Sequence, residues 1–216
     1  MKKMCFILLL SLIAASLFAQ NGIIRELNGT VELKTSGSSF FVAAKAGDAV
    51  MQDTVISTGF KSSALVAVGN SLITVRPLTR LAFSEIRRAS GSEALNVNLQ
   101  AGRVRVDVNP PSGARASLTV SSPIATASVR GTSFEFDTRN IWVRKGLVSF
   151  SGRKGHIRMI PGGLSSKLGD DGKAADPVRI KTGDLLPATP VGTESYNGGS
   201  GGGTSSANAV IVIELL

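Results

Sequence analysis

The chain has 216 residues, a net charge of +9, one cysteine and one histidine. The length allows one or two domains, and a lone cysteine with a lone histidine excludes a zinc site built on those residue types. Aromatic residues make up only 5% of the chain, which argues against nucleic acid, because single-strand binding uses aromatic stacking. The basic surplus favours anionic partners, namely lipid headgroups, acidic glycans or acidic proteins.

The N-terminus reads as an export signal. Lys2 and Lys3 precede an apolar run of 14 residues over 5–18, shorter than the ~20 residues of a spanning helix. We therefore predict a signal peptide over residues 1–19, cleaved after Ala19, with a retained N-terminal anchor as the alternative. The mature chain, without cysteine or transmembrane segment, is expected in the periplasm or at the cell surface.

Apolar and polar residues alternate with a period of two through most of residues 22–180, as in 95–99 and 103–108. This pattern predicts an all-β domain over 22–180, a solenoid-like or sandwich-like stack of short strands with Gly and Pro corners. Gly69 and Asn70 predict a hairpin turn. The alternating Arg103 and Arg105 are interpreted as the solvated face of a sheet.

The pattern G-x-V-x-apolar occurs three times, starting at Gly29, Gly102 and Gly146. The unequal spacings exclude a regular repeat array. The recurrence predicts three related strand starts, each entered through a glycine corner.

The composition changes after Ile180. Residues 181–208 are first rich in proline and then in glycine and serine, which predicts a linker. Residues 209–216 form an apolar, β-branched run predicted as a C-terminal strand. We interpret Val210, Ile211, Val212 and Ile213 as a strand that docks on a sheet edge, in cis or on a partner.

Catalytic machinery is hard to find. His156 is expected on the polar face of a strand, and no Gly-x-Ser-x-Gly elbow occurs. The cluster of Asp170, Asp171 and Asp176 lacks the calcium-loop spacing and predicts a solvated turn. We predict a protein that is not an enzyme and has neither a cofactor nor a metal ion.

The most informative segment is 122–136, which joins two strand-like runs through Arg130, Gly131 and Thr132, with Phe134 following. Gly131 is predicted to have a positive φ. The Arg130 guanidinium has two interpretations. In the first, which we favour, it is a corner clamp that binds nearby carbonyls or carboxylates of the same chain. In the second it contacts a ligand or partner.

The segment around Val129 to Phe134, together with Gly47–Asp48 and the run 145–148, resembles the FecR-type extracytoplasmic domain. The resemblance implies an all-β, non-catalytic periplasmic domain that relays receptor occupancy to a sigma factor. Such proteins carry an anti-sigma segment and a membrane helix before this domain. Here a cleavable signal stands in their place, so we expect a free-standing domain without direct contact to a sigma factor.

Two functions follow. The first is a protein-interaction, signalling or scaffold module of the cell envelope with an envelope protein as partner. The alternative is a glycan- or cell-wall-binding module that uses the basic surface. Trp142 and Tyr196 are the only Trp and Tyr, and this small supply of sugar-stacking rings favours the first function.

Overall fold

The computed structural model describes residues 22–89, 92–110, 115–153, 155–181 and 185. Over these residues the chain contains β-strands and no helix, which confirms the all-β prediction. The strands are β1 (Gly22–Asn28), β2 (Val31–Lys34), β3 (Val42–Ala43), β4 (Ala49–Val50), β5 (Val55–Thr58), β6 (Ser63–Val68), β7 (Ser71–Val75), β8 (Arg80–Ala89), β9 (Ser92–Ala101), β10 (Arg103–Val108), β11 (Arg115–Ser121), β12 (Ala125–Val129), β13 (Ser133–Asp137), β14 (Asn140–Lys145), β15 (Leu147–Gly152), β16 (Ile157–Pro161), β17 (Leu164–Lys167) and β18 (Val178–Arg179).

The strands form two nine-stranded sheets that share one apolar core. The first sheet has the order β18-β17-β14-β13-β10-β7-β6-β1-β4, and the second has the order β16-β15-β12-β11-β9-β8-β5-β2-β3. Alternate side chains of the strands, such as Val104, Val106 and Val108 of β10, are buried in a single cluster to which both sheets contribute. The sandwich-like arrangement follows, because each sheet covers the apolar face of the other.

Short turns make most pairings antiparallel. Val68 pairs with Ser71 around the predicted Gly69–Asn70 hairpin turn, where Gly69 has φ +56°. The exception is the parallel pair β9 and β11, because β10 crosses to the other sheet between them. The core continues without a break from β1 to the strands after residue 160.

The three predicted glycine corners are confirmed, since Gly29, Gly102 and Gly146 have φ of +71°, +87° and +89°. At two corners a hydroxyl accepts a hydrogen bond from the backbone of the next residue. Ser62 Oγ accepts from the Thr30 N–H at 2.8 Å. Thr79 Oγ1 accepts from the Arg103 N–H at 3.0 Å.

Several predicted segments lie outside the described residues: the signal peptide over 1–19, most of the linker over 181–208 and the strand over 209–216. These remain predictions. Over the part of the chain that the structure describes, no helix has the length and apolar character needed to cross a membrane.

Candidate functional site

The signature corner, defined as Arg130, Gly131 and Thr132, carries the chain from one sheet to the other. β12 of the second sheet ends just before it, and β13 of the first sheet begins just after it. Gly131 has φ +71°, which confirms its predicted positive φ. A Cβ at this position would meet only Pro110 Cδ at 3.5 Å, an ordinary contact. The corner therefore needs glycine for its φ and not for lack of space.

Thr132 and Phe134 anchor the corner in the core. The Phe134 ring is fully buried, and the Thr132 carbonyl accepts a hydrogen bond from the Val108 N–H at 2.9 Å. The Thr132 hydroxyl differs from those at the other corners, because its buried Oγ1 has no hydrogen-bond partner. Its Cγ2 instead faces Gly146, 2.6 Å from where a Cβ on that glycine would lie.

Arg130 is exposed. Among the described residues no hydrogen bond or ion pair reaches its guanidinium, so the favoured corner clamp is not formed. The Arg130 side chain is exposed to solvent and makes none of the carbonyl or carboxylate contacts that define a clamp within the described residues. The interpretation of Arg130 as a contact to a ligand or partner remains a prediction, and its exposed guanidinium has N–H donors available for such a contact.

A groove of about 470 Å³ lies beside Arg130 on the outer face of the second sheet. Leu147 and Met159, both half exposed, supply its apolar surface. Hydroxyl side chains from β11, β12 and β15 supply its polar surface, and two of them, Thr119 and Ser128, are hydrogen-bonded to each other at 3.2 Å. The other two hydroxyl residues that line it are Ser117 and Ser149.

The groove suits recognition better than catalysis. Hydroxyls can donate and accept hydrogen bonds, and an exposed guanidinium can bind a carboxylate with two parallel bonds. The groove lining contains no histidine or carboxylate to act as a general base beside a hydroxyl. This arrangement can hold a polar or acidic segment of another molecule.

The outer face of the first sheet carries an arginine cluster that sequence reasoning did not anticipate. We define it as Arg76, Arg103, Arg105 and Arg144 around Glu135. The Glu135 carboxylate is fully buried, and Arg103 Nη2 and Arg144 Nη2 each lie 2.9 Å from its oxygens. The interpretation of Arg103 and Arg105 as a solvated face is wrong, because the Arg105 side chain is only 12% exposed.

Packing explains why these charges are covered. Arg105 pairs across the sheet with Glu135, and its guanidinium binds Asp107 through Nε at 2.9 Å. Burial lowers the pKa of Arg76 below the ordinary arginine value, and the Glu135 charge opposes that shift. The sequence signal for this cluster was the lone acidic residue between two phenylalanines in Phe134–Glu135–Phe136.

A second groove, of about 360 Å³, adjoins the cluster at Trp142. Asn140, Lys167 and Asp176 contribute polar groups to it. The Arg103 guanidinium lies 3.9 Å from the centroid of the Trp142 ring. One ring face is therefore already occupied by a cation–π contact and is not available for a sugar.

The remaining sequence candidates are dispersed. His156 is exposed just before β16 and not within it. Asp170 and Asp176 form ion pairs with Arg139 and Arg158, and no group of three side chains suited to a metal ion occurs within the described ranges. Tyr196 and the run from Val210 through Ile211 and Val212 to Ile213 lie outside the described residues.

In a comparison with known protein families, one family model matches a part of the chain that includes the signature corner. Residues 54–149 match the family model described as "FecR protein". This part of the chain is therefore similar to the FecR family, in agreement with the resemblance seen in the sequence. The match includes the signature corner and every member of the arginine cluster.

Two crystal structures of a "putative anti-sigma factor" from Parabacteroides distasonis ATCC 8503, at 1.65 Å and 2.50 Å resolution, are similar to this chain. Each has 14% sequence identity and a TM-score of 0.47, over 58% of this chain and 59% of that one. The chain thus spans less than two thirds of that relative, and a likeness at this level says nothing about function. No curated protein matches the chain.

Proposed function

We propose that this protein is an exported, non-catalytic protein-interaction module of the cell envelope, and that it serves signalling through the groove beside Arg130. One observation carries the proposal. Within the region that matches the FecR family, an exposed arginine with no hydrogen bond or ion pair to any described residue lies next to a groove of hydroxyl and apolar side chains. Because this guanidinium does not bind the backbone carbonyls of its own corner, it can bind a carboxylate of a partner protein.

The groove also has the character of a protein-binding surface. Leu147 and Met159 are large apolar side chains left about half exposed. Both lie on the last two strands of the second sheet, and β16 is an edge strand. An edge strand offers unpaired backbone groups, so a partner segment can add backbone hydrogen bonds to the side-chain contacts.

Site-specific photo-crosslinking in intact cells tests the proposal. A photoreactive residue in place of Ser149, inside the groove, should capture an envelope protein. The same residue in place of Leu72, which is exposed on the other sheet, should capture little. Equal capture at both positions would contradict the groove assignment.

Arginine variants sharpen this test. Arg130→Ala and Arg130→Lys should both reduce capture from position 149, because lysine keeps the charge but lacks the fork. The exposed Arg153 provides the matched control, and Arg153→Ala should leave capture unchanged. Undiminished capture with Arg130→Ala would remove Arg130 from the site.

Export is tested on the same cells. We expect the protein outside the cytoplasm, with an intact mass that corresponds to a start near Gln20. The basis is the Lys2–Lys3 pair followed by a short apolar run. A mature protein that retains Met1 would argue for the N-terminal anchor instead.

The glycan-binding alternative is supported by one observation, the groove at Trp142 with its polar lining. The Arg103 contact on that ring weakens it. Pull-down with purified cell-wall polymer separates the two functions. Binding that is lost in Trp142→Ala and kept in Arg130→Ala would favour the glycan function.

A further inference from the structure

A third surface, away from both grooves, carries large apolar side chains on strained loops. We define the tip patch as Phe60, Lys61, Leu78 and Arg80. Phe60 and Lys61 lie on the loop between β5 and β6, while Leu78 lies on the loop between β7 and β8 and Arg80 begins β8. The Phe60 and Leu78 side chains are 74% and 62% exposed. The fold does not use them for packing.

Hydrogen bonds join the two loops of the tip patch into one unit. The Leu78 N–H donates to the Gly59 carbonyl at 3.2 Å. Thr58 Oγ1 accepts from the Thr79 N–H at 3.0 Å and donates to the Arg76 carbonyl at 2.5 Å. The backbones that carry Phe60 and Leu78 are therefore joined by hydrogen bonds between the two loops.

The backbone of the tip patch is strained at its two central residues. Lys61 has φ +52° and Leu78 has φ +56°. Positive φ is uncommon outside glycine and unfavourable for a bulky side chain such as leucine. Strain of this kind is typical of positions at which a functional side chain must be presented.

One basic group of the tip patch lies over Phe60, and Arg80 of the patch lies over Phe41 together with Lys34. Lys61 Nζ lies 5.8 Å from the Phe60 ring centroid. Arg80 Cζ lies 5.2 Å from the Phe41 ring, and Lys34 Nζ lies 5.8 Å from the same ring. Over the described part of the chain none of these three cations has an ion pair, so their charges are available to an anion. Phe40, next to Phe41, is also exposed.

We infer that the tip patch is a docking surface for an anionic lipid bilayer. Apolar side chains on projecting loops can enter the boundary between headgroups and acyl chains, and flanking lysine and arginine side chains can bind lipid phosphates. Lys61 and Arg80, neither of which has an ion pair among the described residues, match that surface together with the exposed side chains of Phe60 and Leu78. This inference goes beyond the proposed function, since the patch is distinct from the groove beside Arg130.

A fluorescence experiment on the full chain locates the contact. Trp142→Phe removes the only tryptophan, and Phe60→Trp then places a single reporter in the tip patch. Ile157→Trp in the same background is the matched control, because Ile157 is also exposed but lies on β16, five strands or about 24 Å from β8. Vesicles of brominated phosphatidylglycerol should quench position 60 strongly and position 157 weakly. Equal quenching at the two positions overturns the inference.

Substitutions in the patch provide a second measurement. Phe60→Ser combined with Leu78→Gly should weaken binding to phosphatidylglycerol vesicles by about tenfold or more, through lost apolar burial. Thermal stability should stay the same or rise, because glycine accepts the φ at position 78. Ile157→Ser combined with Met159→Ser is the control and should leave vesicle binding unchanged. Undiminished binding by the tip variant contradicts the inference.

The N-terminal residues and the apolar run over 209–216 are the same in all of these variants, so differences between the variants report on the tip patch alone. Vesicles of neutral phosphatidylcholine should bind the chain more weakly than phosphatidylglycerol vesicles. Equal binding to both would remove the role given to Lys61 and Arg80. Crosslinking from position 149 should be unaffected by the tip substitutions, which separates this inference from the proposed function.

Discussion

The arginine cluster and the signature corner both contain charged or polar side chains, but they differ in how those side chains are buried and compensated. In the cluster, Glu135 is fully buried and binds two arginines at 2.9 Å. At the signature corner, Arg130 is exposed and the buried Thr132 Oγ1 has no partner. The cluster compensates its buried carboxylate internally, whereas the exposed Arg130 at the corner has no ion pair among the described residues.

This difference distinguishes a structural site from a candidate binding site. A buried carboxylate among arginines is costly to disturb, because removal of one partner leaves charge without compensation. An exposed arginine can be lost at little cost to the fold. Four comparisons of variants test the contrast, beginning with the largest expected effect on stability.

Glu135→Gln should lower the free energy of unfolding by about 3–5 kcal/mol, because it removes the buried carboxylate charge that lies 2.9 Å from both Arg103 and Arg144. Urea denaturation measures the loss. Asp176→Asn is the control, since its ion pair with Arg158 is exposed and should be worth less than about 1 kcal/mol. Similar losses in the two variants would show that the cluster is not held by its buried carboxylate.

Gly102→Ala should destabilise the protein more than Gly131→Ala. At Gly102 a Cβ would lie 2.5 Å from Thr79 Cα, and φ is +87°. We expect about 3 kcal/mol from the clash and the φ together. At Gly131 only the φ is unfavourable, and about 1 kcal/mol is expected. Chemical melts compare the two, and an unchanged midpoint for Gly131→Ala would contradict the need for glycine at the corner.

Thr79→Val and Thr132→Val should differ in their effect on stability. Thr79 Oγ1 accepts from the Arg103 N–H at 3.0 Å and reaches the Arg103 carbonyl at 3.1 Å, so valine should cost about 1–2 kcal/mol. The Thr132 hydroxyl has no partner to lose, and valine there should be neutral or stabilising. Thermal unfolding of both variants decides this, and a clear loss in Thr132→Val would mean that its hydroxyl is bonded in solution.

Arg130→Ala should change the free energy of unfolding by less than about 0.5 kcal/mol, because the side chain is exposed and has no hydrogen bond or ion pair with any described residue. Arg144→Ala should cost more, since Arg144 compensates the buried Glu135. Denaturant melts measure both variants. A loss from Arg130→Ala as large as that from Arg144→Ala would restore the corner clamp.

Much of the fold followed from local patterns. Period-two alternation reports directly which face of a strand is buried, so the all-β, sandwich-like fold was predictable. Glycine at Gly29, Gly102, Gly131 and Gly146 reports positive φ because only glycine adopts it without cost. The hairpin at Gly69 was predictable for the same reason.

Other features required the tertiary structure. The alternation in residues 103–108 shows which residues share a face, but a covered basic face and a solvated one have the same pattern. The burial of Glu135 depends on which strands become neighbours across the sheet, and that order is set by long-range pairing of β10 with β13.

The sequence by itself determined that this chain builds short amphipathic strands separated by glycine corners, because backbone conformation and side-chain alternation are local properties. Tertiary structure decided which charges were compensated and which were left free. It surrounded Glu135 with arginines, left Arg130 without an ion pair among the described residues and joined the loops of Phe60 and Leu78. The physical reason is that burial and charge compensation depend on distances between residues far apart in the chain, which local sequence does not encode.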